Sequence, residues 1–260
     1  MNSRMTNWFQ THNINPIYGW GPSKRMIVQA GPAIDARCTM DDARLSLCAL
    51  VDKARKAGCV YVEIRCFEDY SAYRPALEAA GFVYEPHYDV HIDPAKDVPE
   101  PKMRQIRAAL SSGQLWRETR DEADIAAWYA CLKKLYRTKV KRPIPSLDWF
   151  REMIVEKGCK LLVVETQGMI IGGVLLAVED DRSKAYEWYI CGQVMSTWAA
   201  IDWCSQHGIH CFDTMGAGKP GVPYGVRDFK LQMGGELKEF GRYRCVLKPW
   251  LYRLGEWVMR

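Results

Sequence analysis

The chain has 260 residues, 48% of them apolar, which supplies substantial cores and excludes a disordered or low-complexity protein. A formal net charge of +5 is too mild to demand a nucleic acid or a membrane, although it permits an anionic partner. Ten cysteines stand singly without a CxxC pair, a spacing that fits reduced core thiols better than a disulfide frame or a zinc site, so a cytoplasmic protein is expected.

Met1 to Gln10 lack the apolar segment of a signal peptide, and no run approaches roughly 18 apolar residues, so a soluble, unsecreted chain is expected. Residues through 25 are polar and turn-rich. Met26 to Ala30 read as a strand broken by Gly31-Pro32. Asp41 and Asp42 cap a helix that runs through Ala57, with Cys48 and Val51 at helical spacing. Val60 to Ile64 form a short buried strand, Tyr73 to Gly81 a short helix, and Tyr84 to Ile92 one alternating strand. Pro94, Pro99 and Pro101 mark a domain boundary, and 102–113 reads as a linking helix.

The second half opens on a strand from Leu115 to Thr119. Asp121 then starts one helix and Ser146 another. Leu161 to Glu165 and Met169 to Val178 flank Gln167-Gly168, a tight-hairpin signal, and Lys184 to Cys191 add a further strand. A helix from Ser196 to His207 leads into a short strand at Ile209 to Asp213, so these last two strands should be parallel. A Gly/Pro loop, a helix carrying Asp228, Phe229 and Lys230, and a closing pair of strands after Gly234-Gly235 complete the pattern.

Gly58 and Gly208 each end a helix before a strand that finishes on a carboxylate, and each strand is followed by a short helix and another glycine. The two units lie about 150 residues apart, a repeat of domain size. Two copies of one α/β domain follow, at 1–101 and 102–260.

Several of these residues resemble the FemABX peptidoglycan bridge family of non-ribosomal peptidyltransferases. They are Gly208 to Asp213 with Gly216, Asp228-Phe229-Lys230, Gly234-Gly235 and Gly241-x-Tyr243, with Gln29 to Pro32, Gly81-Phe82 and Met103 to Arg107 as weaker marks. The resemblance implies an α/β fold of two tandem GNAT-like domains (acyl-CoA N-acyltransferase type), each a mixed sheet flanked by helices. It implies an aminoacyltransferase that moves an amino acid from aminoacyl-tRNA, without cofactor or metal, to an amine of a peptidoglycan precursor. The acceptor is expected in the cleft between the domains.

Amide formation from an activated ester needs a neutral amine, correct placement and stabilisation of the tetrahedral oxyanion. Lys230 is the candidate for the last role, which the resemblance also implies for a lysine at this position; the alternative is an exposed helix lysine beside a core phenylalanine. Asp228 is the second catalytic candidate, as a proton acceptor or as an orienting group, while Asp213 reads as a turn residue. Phe229 would shape the pocket wall. Lys133 to Arg142 is the densest positive run, suited either to phosphates or to a solvated helix end, and the resemblance brings Tyr136 and Arg142 to the acceptor. Trp188 and Tyr189 alternate on their strand, one toward the core and the other toward the cleft. Tyr224 and Gly31 complete the substrate-binding set.

Gly216 to Pro220 lack the spacing of a nucleotide-hydrolysing loop. His87 and His91 share a strand face without a third ligand and read as structural. Residues 249–260 have an apolar face and basic ends, suited to docking on their own domain or to peripheral membrane contact. Two rivals remain. One is a GNAT N-acetyltransferase using acetyl-CoA, whose pyrophosphate loop does not fit Cys191 to Ser196. The other is a non-catalytic ligand-binding module on the same scaffold. No DNA partner is expected.

Overall fold

Strands that the chain visits out of order make up the two sheets of this protein. The computed structural model describes residues 8–258 apart from 13, 15, 20 and 32–38, so Pro32, Met259 and Arg260 lie outside the described residues. In chain order the elements are α1 (Trp8–Thr11), β1 (Ile17–Tyr18), β2 (Arg25–Gln29), α2 (Met40–Lys56), β3 (Tyr61–Arg65), α3 (Arg74–Ala79), β4 (Val83–Glu85) and β5 (Tyr88–Ile92). They continue with α4 (Glu100–Ser111), β6 (Gln114–Thr119), α5 (Glu122–Leu135), α6 (Leu147–Val155), β7 (Lys160–Thr166), β8 (Met169–Val178) and β9 (Lys184–Cys191). The last are α7 (Gln193–Gln206), β10 (Cys211–Gly216), α8 (Gly225–Gln232), β11 (Glu236–Glu239), β12 (Arg242–Val246) and α9 (Pro249–Val258).

Local chemistry explains most boundaries. Thr39 caps α2 and forms a reciprocal box with Asp42, so the expected acidic start is the third helical position. Asp121 accepts from Ala123 and Asp124 N–H at the start of α5, and Ser146 accepts from Trp149 N–H at the start of α6. Gln167 and Gly168 have φ of 50° and 72°, the paired positive values that a two-residue hairpin needs between β7 and β8.

The first unit comprises residues 1–88 and 239–260, and its mixed sheet has the order β1-β2-β3-β12-β4. Met26, Val62, Ile64 and Tyr243 from this sheet pack with Leu47 and Val51 of α2 and Leu77 of α3. Glu63 of β3 is buried and takes Arg65, Arg242 and Arg244, so β12 is held in the sheet by charge as well as by its ladder. The second unit, 89–238, has the mixed sheet order β11-β5-β10-β9-β8-β7-β6. Val164, Val174, Leu176 and Phe212 of this sheet form a core with Ala199 and Ala200 of α7 and Ile106 of α4.

The expected boundary at 101/102 therefore does not follow the packing. Helix α4 is no linker: Ile106 is fully buried and the helix packs on α7. The single strand expected from Tyr84 to Ile92 is two strands, because Pro86 has no N–H to donate and the chain leaves one sheet there for the other. The expected closing pair behaves alike, with β11 in the second unit's sheet and β12 in the first's. Matching the repeats strand for strand, β5 corresponds to β12, and each joins the sheet opposite to that of the strands before it.

Candidate active site

The second unit contains a place where two neighbouring strands part. β9 and β10 run parallel from Lys184/Cys211 to Tyr186/Asp213, and their ladder stops there although both strands continue. On its other edge β9 carries a bulge: Leu175 pairs with Tyr189 and Leu176 with Glu187, which leaves Trp188 as the extra residue. A bulge bends its strand, so β9 turns away from β10 at Glu187.

Lys230 of α8 reaches the β10 side of this split. Its Nζ donates to the carbonyls of Thr214 (2.5 Å), Gly216 (3.1 Å) and Met215 (3.3 Å). Successive carbonyls of an extended strand alternate in direction, so three converge on one cation only where the strand is kinked. Met215 supplies the kink with φ of 61°, and Asp213 Oδ1 fixes it by accepting the Met215 N–H at 2.7 Å. Lys230 is 7% exposed, which removes the alternative of a solvent-facing helix lysine.

Across the split, Glu187 Oε1 lies 4.0 Å from Lys230 Nζ. Glu187 is 7% exposed, and its Oε2 is buried without a hydrogen-bond partner among the described residues. Burial pushes the Glu187 carboxyl up to about 7; the Lys230 charge pulls against that and the Asp213 carboxylate adds to it. Burial also lowers the pKa of Lys230, opposed by Glu187, Asp89 and Asp213. Asp213 is fully buried and faces His91 Nε2 at 3.1 Å and Lys184 Nζ at 3.8 Å, so it is an ion-pair and capping residue. Burial works against charge on His91, but its bonds to Asp213 and Cys211 outweigh that and hold it up at about 9. A buried carboxylate poised near neutrality beside a buried cation can take a proton and stabilise an anion in one place.

The expected site residues fall into groups. Phe229 is half-buried on the core, with Lys102 Nζ 5.0 Å from its ring centroid. Asp228 is exposed; two residues from Lys230 on a helix, it faces the other way, so the structure does not bring this pair together. Trp188 and Tyr189 are both buried, and the expectation that one would face the core and the other a cleft fails because the bulge at Trp188 breaks the alternation. Both meet Trp149, at ring separations of 5.0 and 6.0 Å, and Tyr136 lies 6.3 Å from Tyr189. Arg142 is exposed in the basic run, which winds as a π-turn over Tyr136–Val140. Tyr224 precedes α8, exposed, its ring against Gly218. Gly31 belongs to the first unit, where φ of 75° and the Tyr70 ring leave no room for a side chain.

Glu187 escaped the sequence reading. The signal was there: it is the one acid in Ala185 to Ile190, an otherwise apolar strand. The turn after β9 is a single residue, Gly192, with φ of 95°, and Ser196 Oγ donates back to Cys191 O at 2.6 Å.

No protein-family model matches this chain, and no curated protein does. Solved structures do. FemX superposes with a TM-score of 0.57 at 14% identity, covering 90% of this chain and 83% of its own. The C-terminal domain of a putative lysylphosphatidylglycerol synthetase from Agrobacterium fabrum gives 0.59 at 13%, covering 88% and 80%. A GCN5-related glucosamine N-acetyltransferase region of a fungal multi-domain β-N-acetylglucosaminidase gives 0.54 at 13%, covering 88% of this chain and 30% of that one. The chain has a Fem-like GNAT fold.

Proposed function

We propose that this protein is an aminoacyltransferase that forms an amide between an activated aminoacyl ester and an amine of a cell-wall precursor peptide, with its chemistry at the β9/β10 split. The observation that carries the reading is the buried Glu187–Lys230 pair, whose Glu187 Oε2 has no hydrogen-bond partner among the described residues. An acceptor ammonium supplies the missing donor. Glu187 takes its proton, the neutral nitrogen attacks the ester carbonyl, and Lys230 turns its longest hydrogen bond, to Met215 O, toward the oxyanion. Collapse breaks the ester C–O bond, the leaving hydroxyl takes the proton back from Glu187, and the freed carboxylate takes the second proton from the nitrogen and passes it to solvent, which leaves a neutral amide.

Two features support an RNA-linked donor. Lys133, Lys134, Arg137, Lys139, Lys141 and Arg142 are exposed and form no ion pair among the described residues, a phosphate-binding surface in want of phosphates. The one-residue turn at Gly192 also disfavours a CoA pyrophosphate loop, and the likeness to FemX agrees in fold. The test is to incubate the protein with mixed charged tRNAs and a UDP-linked muramyl peptide and to weigh the peptide. A mass gain of one amino acid, absent in Glu187→Gln, is expected. Gain with acetyl-CoA instead would transfer the reading to an N-acetyltransferase.

A further inference from the structure

Helix α9 presents large apolar side chains to solvent. Trp250, Leu254 and Trp257 are 69%, 45% and 76% exposed, and their spacing of four and three residues puts them on one stripe. Arg253, also exposed, borders that stripe. The opposite side is occupied: the Tyr252 hydroxyl accepts from Arg244 Nη1 at 2.5 Å, its ring meets Tyr61 at 5.5 Å, and Leu251 is half-buried. The amphipathicity expected from the sequence is therefore real, but docking on its own unit uses the side that carries Leu251 and Tyr252 and leaves the tryptophans outside.

Two tryptophans exposed to this extent on one helix stripe are costly in water unless something covers them. The charge around them favours one occupant. Residues 247–260 hold Lys248, Arg253 and Arg260 against Glu256 as the lone acid. Tryptophan settles at the boundary between headgroup and acyl chain, and basic neighbours are drawn to anionic headgroups. Among the described residues no helix is long and apolar enough to cross a membrane. We propose that α9 lies in the surface of an anionic phospholipid bilayer, with Trp250, Leu254 and Trp257 inserted and Arg253 at the phosphates, as a peripheral anchor. This inference does not depend on the reaction proposed above.

Flotation of the full chain with vesicles tests it, using phosphatidylcholine alone and phosphatidylcholine with about one-third phosphatidylglycerol. Binding to the mixed vesicles is expected, with partition falling about tenfold or more in Trp250→Ser/Trp257→Ser. Arg253→Glu should weaken binding to the mixed vesicles only. Unchanged melting temperature in each variant establishes that folding is intact, and brominated lipid should quench wild-type fluorescence more than that of the double variant. No flotation of the wild type, equal flotation of the double variant, or dimerisation through this face in place of vesicle binding would each overturn the proposal.

Discussion

Glu187 and Lys230 sit 4.0 Å apart where two strands separate, each nearly sealed from water, and each moves the other's proton affinity toward the charged pair. Neither would persist there alone, because an unpaired buried charge neutralises itself.

If Glu187 is the base, it must be deprotonated to act. The rate should rise with pH through about 7 with unit slope on a log scale and then level off. Glu187→Gln should cost roughly a hundredfold or more in single-turnover transfer and abolish the acid limb, with little change in substrate KM. A limb that persists in the variant would assign the titration elsewhere.

Replacing Lys230 with Met removes both the cation and its three carbonyl contacts. Turnover should drop by about a hundredfold or more, the loss seen when an oxyanion donor goes. Residual activity should show its acid limb displaced to higher pH, since Glu187 loses the charge that lowers it. A binding module would lose affinity and have no turnover to lose.

His91 makes a separate demand on pH. Its folded value of about 9 exceeds the ordinary 6.5, so its contribution to stability is full below pH 6.5 and is lost as pH climbs through 9. The urea midpoint of the wild type should fall over that window, and His91→Gln should flatten the fall.

Glu63 runs the other way. Burial raises it, but Arg65, Arg242 and Arg244 hold it well below the carboxylate range, so its contribution is present above about pH 4.5 and wanes under acid. Glu63→Ala leaves three arginines facing one another and should cost about 3–5 kcal/mol. Hydrogen exchange should locate the loss in β3 and β12.

Charge reversal in the basic run tests the proposed RNA contact. Each of Lys139→Glu and Lys141→Glu should weaken binding of charged tRNA and flatten the slope of log affinity against log salt by about 0.7–0.9 per cation. Filter binding at several salt concentrations measures it, and an unchanged slope would remove the basic run from the proposal.

Much of the architecture was legible in the chain. Caps at Asp121 and Ser146, the Gln167-Gly168 hairpin and the parallel order of β9 and β10 follow from local rules that the folded protein obeys. What escaped were features that local patterns do not encode. The bulge at Trp188 is decided by the partner strand, and it overturned a sound alternation argument for Trp188 and Tyr189. The exchange of β5 and β12 between sheets is decided by which edges are open, a matter of long-range pairing. At the site, the motif marked Lys230, while Glu187 emerged only when burial and its missing hydrogen bond were visible together.

The position of β12 between β3 and β4 carries a consequence for biosynthesis. A ribosome delivers the first 88 residues early, yet two strands among them then wait beside an empty slot until residue 246 has emerged. The intervening 150 residues are contiguous and can condense meanwhile (89 through 238). Nascent chains should thus pass through a half-built intermediate with unsatisfied edges, a state prone to mispairing and a natural client for chaperones.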